Sequence, residues 1–244
     1  VRVPPADERR LYGELTWLWP IVSPPQEYRE EAAFAAKAII EAHRDRPRTL
    51  LHLGCGGGHL DLYLKRRFEV TGVDVSEGML ALASRLNPEV RYLRGDLRTF
   101  RTEESFDAVL ALDSINYMLS EEELAQAFST AFEALRPGGV FLTYVEHAKE
   151  RFEPGAWCSR HPSEEMIVTF LEDLHDPDPG DTTVELAFLF LIRRGDEVTV
   201  EADRHLQGLF PTSTWTSLMA RAGFDVTLRS DSPPPATWLV GRKP

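Results

Sequence analysis

Cysteine is nearly missing from this chain. Cys55 and Cys158 are its two cysteines in 244 residues, and no metal-type spacing relates them. A disulfide-stapled scaffold and a cysteine-ligated metal centre are therefore excluded as the basis of the fold. Long apolar runs are missing as well. No stretch approaches the ~20 residues that a membrane-crossing helix needs, and the amino end, Val1-Arg2-Val3-Pro4-Pro5, has no secretory apolar core. The expectation is a chain with no membrane partner that works in the cytoplasm. Positive charge is in deficit, since 27 Lys and Arg face 39 Asp and Glu for a net charge of −12. Binding to a nucleic-acid backbone needs the opposite balance, so no nucleic acid is expected as main partner, and a small molecule or a protein takes its place. Repeats and low-complexity tracts are absent, and Pro233-Pro234-Pro235 reads only as a short rigid turn. The sequence leaves oligomeric state open, a homo-oligomer being compatible with it.

What is present begins at Thr49. The run Thr49-Leu50-Leu51-His52-Leu53 ends in the cluster Gly54-Cys55-Gly56-Gly57-Gly58, which reads as a buried strand turning into a helix with a backbone bare enough for a ligand to lie against. Twenty residues beyond Gly54, Asp74 closes the next strand candidate, Val70 to Asp74, where a carboxylate accepts hydrogen bonds from ribose hydroxyls. An adenosine-containing cofactor is expected. The dinucleotide fingerprint wants glycine at its sixth position, where this chain has His59, and no Gly-Lys-Ser or Gly-Lys-Thr follows to hold nucleotide phosphates. The remaining pattern is Gly54-x-Gly56-x-Gly58.

That pattern and four downstream segments resemble the class I S-adenosylmethionine-dependent methyltransferases. The segments are Val73-Asp74-Val75-Ser76 with Met79-Leu80, Gly95-Asp96-Leu97, Phe106-Asp107-Ala108-Val109 and Leu135-Arg136-Pro137-Gly138-Gly139. Together they cover roughly residues 48 to 147. One departure stands out: the family usually carries Asp or Glu where this chain has His52, which leaves the acidic contact near the cofactor's amino group open.

The chain is long enough for one large domain, or a core with an insertion. Strand candidates at 49–53, 70–74, 90–94, 107–112 and 139–146 alternate with helical segments at 28–44, 58–67, 77–86 and 121–136, the last preceded by the capping-box pair Ser120 and Glu123. This is an α/β, doubly wound, Rossmann-like pattern, and the resemblance implies a seven-stranded sheet with ligands at the carboxyl ends of its strands. After residue 147 the texture changes. Residues 166–171, 183–190 and 198–201 read as an inserted antiparallel β layer, with a hairpin turn at Arg193 to Asp196 and Cys158 in a preceding loop. A helix at 212–222 and strands at 224–229 and 236–241 then close the core. The expected division is 1–147 for the amino-terminal segment and cofactor core, 148–210 for the inserted substrate cover, and 211–244 for the closing elements. This arrangement resembles the small-molecule group that includes glycine and sugar-amine N-methyltransferases.

The resemblance carries roles onto individual residues. Gly54, Cys55 and Gly56 approach the methionine portion of the cofactor, Asp74 holds the ribose, Val75 and Met79 pack on adenine, and Asp96 with the Leu97 amide meets the adenine edge. Leu112 and Asp113 face the transferring methyl, although Asp113 reads equally as a cap for Ser114 to Tyr117. The aromatic segment Leu11 to Pro20 offers Tyr12 and Trp19, with Tyr28, as a cover over the cofactor or as filling of the interface with the core. S-adenosylmethionine is the implied cofactor, S-adenosylhomocysteine the product, and no metal is needed. Transfer to a small-molecule N or O acceptor is an in-line displacement, and a protonated amine or a hydroxyl acceptor has to lose a proton. Candidate bases are His147 first, then Tyr117 and Glu146, with Tyr144 nearby. His205 reads mainly as a structural residue of the added sheet, and Arg160 and Arg204 as cations for an acidic acceptor or for surface carboxylates. Two other readings compete: a non-catalytic S-adenosylmethionine sensor, prompted by His52, and a nicotinamide oxidoreductase, which the missing sixth glycine disfavours.

Overall fold

The computed structural model describes residue 3, residues 7–229 and residues 237–244. The proline turn expected at 233–235 lies outside the described residues. Among the described residues, eleven strands form two sheets. The core sheet contains β1 (Thr49–Leu53), β2 (Glu69–Asp74), β3 (Arg91–Arg94), β4 (Phe106–Leu110), β5 (Leu135–Val145), β10 (Asp225–Leu228) and β11 (Thr237–Arg242) in the order β10-β11-β5-β4-β1-β2-β3. Only β11 runs against its neighbours, pairing antiparallel with β5 and β10. β1 pairs parallel with both β2 and β4, so the chain leaves β1 toward one edge and later returns on its other side. That reversal opens a crevice at the carboxyl ends of β1 and β4, the usual ligand position in a doubly wound sheet.

The helices are α1 (Trp19–Val22), α2 (Arg29–Ala42), α3 (Asp61–Leu64), α4 (Glu77–Leu86), α5 (Glu121–Ala134) and α6 (Thr212–Arg221). α4 starts where the Ser76 hydroxyl accepts the Met79 amide at 3.0 Å, and α5 where Ser120 accepts Glu123 N–H at 3.2 Å while Glu123 accepts the Leu119 amide at 2.8 Å. Three glutamates in the first turn of α5 complement its dipole. Ala32, Ala35, Ala36 and Ile39 give α2 a small-residue face buried against one side of the sheet. α5 packs Leu124, Phe128 and Ala131 on the other side.

The second sheet is β6 (Gly155–Pro162), β7 (Ile167–His175), β8 (Thr183–Arg194) and β9 (Glu197–Gly208), antiparallel throughout. Cys158 therefore lies in a strand, not in a loop. β6 was hidden because all its residues are exposed or half-buried, so no alternation marks it. β8 shows the opposite: Val184, Leu186, Phe188, Phe190 and Ile192 alternate inward and pack against Leu11, Leu15, Leu18 and Val22. Burial of each such side chain contributes about 1.5 to 3 kcal/mol, which fastens the amino-terminal segment to the inserted sheet. The helix expected at 58–67 shrinks to α3 flanked by turns, since the cluster Gly54 to Gly58 occupies the start of that stretch. Leu135 to Gly139, one of the segments that carry the resemblance, forms the start of β5, ahead of the strand expected at 139–146, with a register break against β4.

Candidate active site

The turn after β1 is held open by its neighbours. Gly54 and Cys55 both donate backbone hydrogen bonds to the Val73 carbonyl, at 2.7 and 3.0 Å, tying the glycine turn to the end of β2. Gly54 has φ +71°, and a Cβ there would lie 1.9 Å from Ser114 Oγ, so only glycine fits. Gly56 has φ +52° and nothing within 4 Å of the position a Cβ would take. The backbone is therefore bare at the crevice. Asp74 accepts the Gly56 amide at 2.8 Å and the Ser76 amide at 2.9 Å, and burial keeps its pKa above the ordinary carboxylate value although those amides oppose the shift.

A cavity of about 460 Å³ opens at this turn. Tyr12, Trp19, Gly54, Cys55, Gly56, Asp74, Val75, Met79, Asp96, Leu97, Leu112 and Asp113 all line it, as do Tyr28 and Tyr117. The amino-terminal segment covers the glycine turn: Trp19 stacks on His59 at 6.0 Å between ring centres and meets the Tyr12 ring edge-on at 5.9 Å. Ser76 also donates its hydroxyl hydrogen to the Tyr12 carbonyl. Asp96 is engaged by Arg98, through the backbone amide at 2.9 Å and the guanidinium at 2.6 Å, and those bonds pull its pKa down.

Comparison with known proteins gives this geometry a family. A methyltransferase domain matches residues 50–139. The dTDP-3-amino-3,4,6-trideoxy-alpha-D-glucopyranose N,N-dimethyltransferase of Streptomyces venezuelae is 28% identical over 88% of this chain and 91% of its own length. The dTDP-3-amino-3,6-dideoxy-alpha-D-glucopyranose N,N-dimethyltransferase of Streptomyces fradiae is 27% identical over 91% of this chain and 88% of its own. Residues 50–139 of this chain form a methyltransferase domain. The chain's fold matches the crystal structure of DesVI from Streptomyces venezuelae with a TM-score of 0.84, at 24% identity over 99% of this chain and 100% of that one. It also matches CalS10, an amino pentose methyltransferase from Micromonospora echinaspora solved with S-adenosylmethionine bound, with a TM-score of 0.83, at 24% identity over 93% of this chain and 97% of that one.

In this methyltransferase the departure at position 52 has a structural answer. His52 is buried at the end of β1, and its Nδ1 lies 2.7 Å from Asp61 Oδ1. Asp61 has no solvent exposure and also accepts the Tyr92 hydroxyl at 3.0 Å. Burial disfavours the imidazolium, but attraction to Asp61 and the hydrogen bond with it outweigh that, so the His52 pKa lies above its ordinary value. A buried acid thus stands nine residues later, behind the histidine. No motif pointed to Asp61. His59, by contrast, is held neutral, its pKa pushed down by burial to about 4.

The far side of the cavity is acidic. Asp113 faces the cavity and accepts the Tyr144 hydroxyl, and Glu146 accepts Asn116 Nδ2 at 3.1 Å. Together with Glu31 on α2 these carboxyls have pKa values raised by burial first and by their mutual repulsion second, Glu172 of β7 adding to the field on Glu146. His147 is a correction to the sequence reading. It does not reach the cavity wall: its ring meets Phe152 edge-on at 6.2 Å, its Nε2 is 3.9 Å from its neighbour Glu146, and burial lowers its pKa. Glu146 also stands behind the wall rather than in it. His205, read as structural, instead touches Tyr117. Arg204 pairs with Glu185. Among the described residues no group of three or more His, Cys, Asp or Glu is arranged to hold a metal, and no helix is long and apolar enough to cross a membrane.

Proposed function

We propose that this methyltransferase acts on the amine nitrogen of a small molecule, with an amino sugar as the substrate class. The observation that carries the reading is the acidic side of the cavity. Carboxyls whose pKa values are raised by burial and crowding gain most from a positive neighbour, and a protonated amine is such a neighbour. The named activities of the Streptomyces relatives support the same class.

S-adenosylmethionine supplies a sulfonium-borne methyl open to in-line displacement. The bare backbone of Gly54, Cys55 and Gly56 cradles its methionine portion, and the open space beside Gly56 fits that task. Asp74 takes the ribose hydroxyls, which requires its carboxylate to accept from them as well as from the Gly56 and Ser76 amides. Val75 and Met79 bracket the adenine, with Asp96 and the Leu97 amide at its edge. Leu112 lies toward the methyl, while Tyr12 and Trp19 exclude water from above. An ammonium cannot attack until it loses a proton, and Asp113, with a pKa raised from the ordinary carboxylate value, is suited to receive it. Glu146 adds negative charge behind Asp113. Once the amine is neutral, the chain's main contribution is alignment in a dry site. The enzyme is assigned to the cytoplasm, and its four-stranded sheet is assigned to the acceptor side as a cover.

The test supplies S-adenosylmethionine with matched acceptors: a dTDP-linked 3-amino sugar and its 3-hydroxy counterpart. Methylation of the amine alone is expected. Transfer to the hydroxyl sugar alone, or binding of S-adenosylmethionine with no transfer to amines, would refute the assignment.

A further inference from the structure

A buried chain of hydrogen bonds runs from the inserted sheet into the cavity wall. Asp203 on β9 accepts the Leu11 amide at Oδ2, 2.7 Å, and the Arg204 amide at Oδ1, 2.9 Å. The same Oδ2 lies 2.8 Å from His205 Nε2. His205 Nδ1 lies 2.6 Å from Tyr117 Oη, which lies 2.9 Å from Tyr12 Oη. Asp203 and His205 have no solvent exposure, while both tyrosines line the cavity.

Counting hydrogens gives this chain a direction. Burial opposes ionisation of Asp203, but the bonds from His205 and the Leu11 amide outweigh it, so its pKa is lowered and its carboxylate only accepts. His205 Nε2 must then carry the hydrogen. With the ring neutral, the form this chain requires, the other nitrogen is an acceptor and Nδ1 takes the Tyr117 hydrogen. Tyr117, which also takes a hydrogen bond from the Gln207 side chain, has none left for Tyr12, which donates to it instead. Burial raises both phenol pKa values, so neither tyrosine gives up its hydrogen to solution. Every donor is thus committed inward, and Tyr12 Oη presents only lone pairs to the cavity.

We propose that Asp203 and His205 are positioning residues which, through Tyr117, fix Tyr12 as a hydrogen-bond acceptor for the N–H of the acceptor amine. An amine that donates N–H to Tyr12 turns its lone pair away from that oxygen and toward the methyl. A tertiary amine has no such hydrogen to give. The selection is one of donor against acceptor, independent of charge, and it rests on the amine reading above.

Two experiments decide it. Long-range ¹⁵N–¹H spectra of the whole protein report the His205 tautomer without any acceptor present. The Nε2–H neutral form is expected, and an Nδ1–H or doubly protonated ring would overturn the proposal. The second compares kcat, KM and S-adenosylhomocysteine Kd for Asp203→Asn. With its nitrogen at the Oδ2 place the amide donates to Nε2, drives the hydrogen to Nδ1 and reverses the chain, at the cost of facing the Leu11 N–H, and the same ¹⁵N–¹H spectra report which way the amide sits. With the dTDP-linked 3-amino sugar, kcat should fall about 10- to 100-fold, the cost of a misaligned acceptor, while Kd stays within about twofold. An unchanged kcat in a variant whose ring has moved to the Nδ1–H form would overturn the proposal. If Asp203→Asn does not fold or keeps the Nε2–H ring, His205→Gln and His205→Leu take its place. Glutamine can donate to Asp203 and accept from Tyr117, so it should recover most of the kcat lost in the leucine variant, and equal losses would overturn the proposal. Failure of the wild type to methylate this amine refutes the amine assignment alone, and the tautomer still decides the direction of the chain.

Discussion

Replacing Gly56 with alanine separates the fold from the ligand at a single atom. The residue sits at φ +52°, where an L side chain costs roughly 1 to 2 kcal/mol. No clash adds to this, because nothing lies within 4 Å of the new Cβ. In a domain of this size each kcal/mol moves Tm by about 2 to 4 °C, so Gly56→Ala should melt roughly 2 to 8 °C lower than the wild type. Cofactor binding should suffer far more, because the methyl group fills space that the cofactor must share with this backbone. A loss of at least tenfold, about 1.4 kcal/mol, is expected in a calorimetric titration with S-adenosylhomocysteine. Gly54→Ala is the control with the opposite balance. Its Cβ would lie 1.9 Å from Ser114 Oγ, so overpacking of about 1 to 3 kcal/mol is added to the backbone cost and the fold itself is hit harder. Wild-type affinity in a folded Gly56→Ala protein would show that the cofactor does not lie against this turn.

Asp61→Asn should destabilise the protein by about 3 to 5 kcal/mol, because it leaves the buried His52 without its counter-charge. Thermal melts measure the loss, and an NMR titration of the His52 ring should show its pKa falling. A variant that melts like wild type would mean the pair is not ionised. The acidic side of the cavity predicts a pH trend. Glu31, Asp113 and Glu146 are pushed up to about 8, 7 and 7, whereas the unfolded chain releases these protons near pH ~4. Between those limits the folded protein holds protons that the unfolded chain has lost, so stability falls as pH rises from about 4 to about 8, then levels off. Saturating S-adenosylmethionine, a cation, should flatten the slope. Melts that rise in temperature over the same interval would contradict the raised values.

The cofactor half of the cavity is written in short stretches of sequence. Gly54 to Gly58 and Asp74 declare themselves because backbone conformation at a strand end depends on a few adjacent residues, and strand alternation in β8 does the same for the inserted sheet. The acceptor half is assembled from separated segments. Tyr12, Tyr117 and His205 meet only because the amino-terminal leucines dock on β8 and β9, which no local pattern announces. Asp61 was illegible for a similar reason: its role depends on His52 pointing at it across the turn. β6 escaped notice because a strand with little burial on either face carries no period. His147 was misplaced by one step of reasoning, from nearness to a strand end to presence in the cavity.

The amino-terminal segment has one further consequence, for turnover. Leu11 is tied by its amide to Asp203, Tyr12 by its carbonyl to Ser76 and by its ring to Trp19 and Tyr117, and Leu15 and Leu18 are sunk in the inserted sheet. Spent cofactor leaving past this segment has to pull those leucines into water and break the bonds at both ends. Exchange by that route is slow by construction, and it disorders the acceptor's docking point in the same movement. Release by that route resets both halves of the site together.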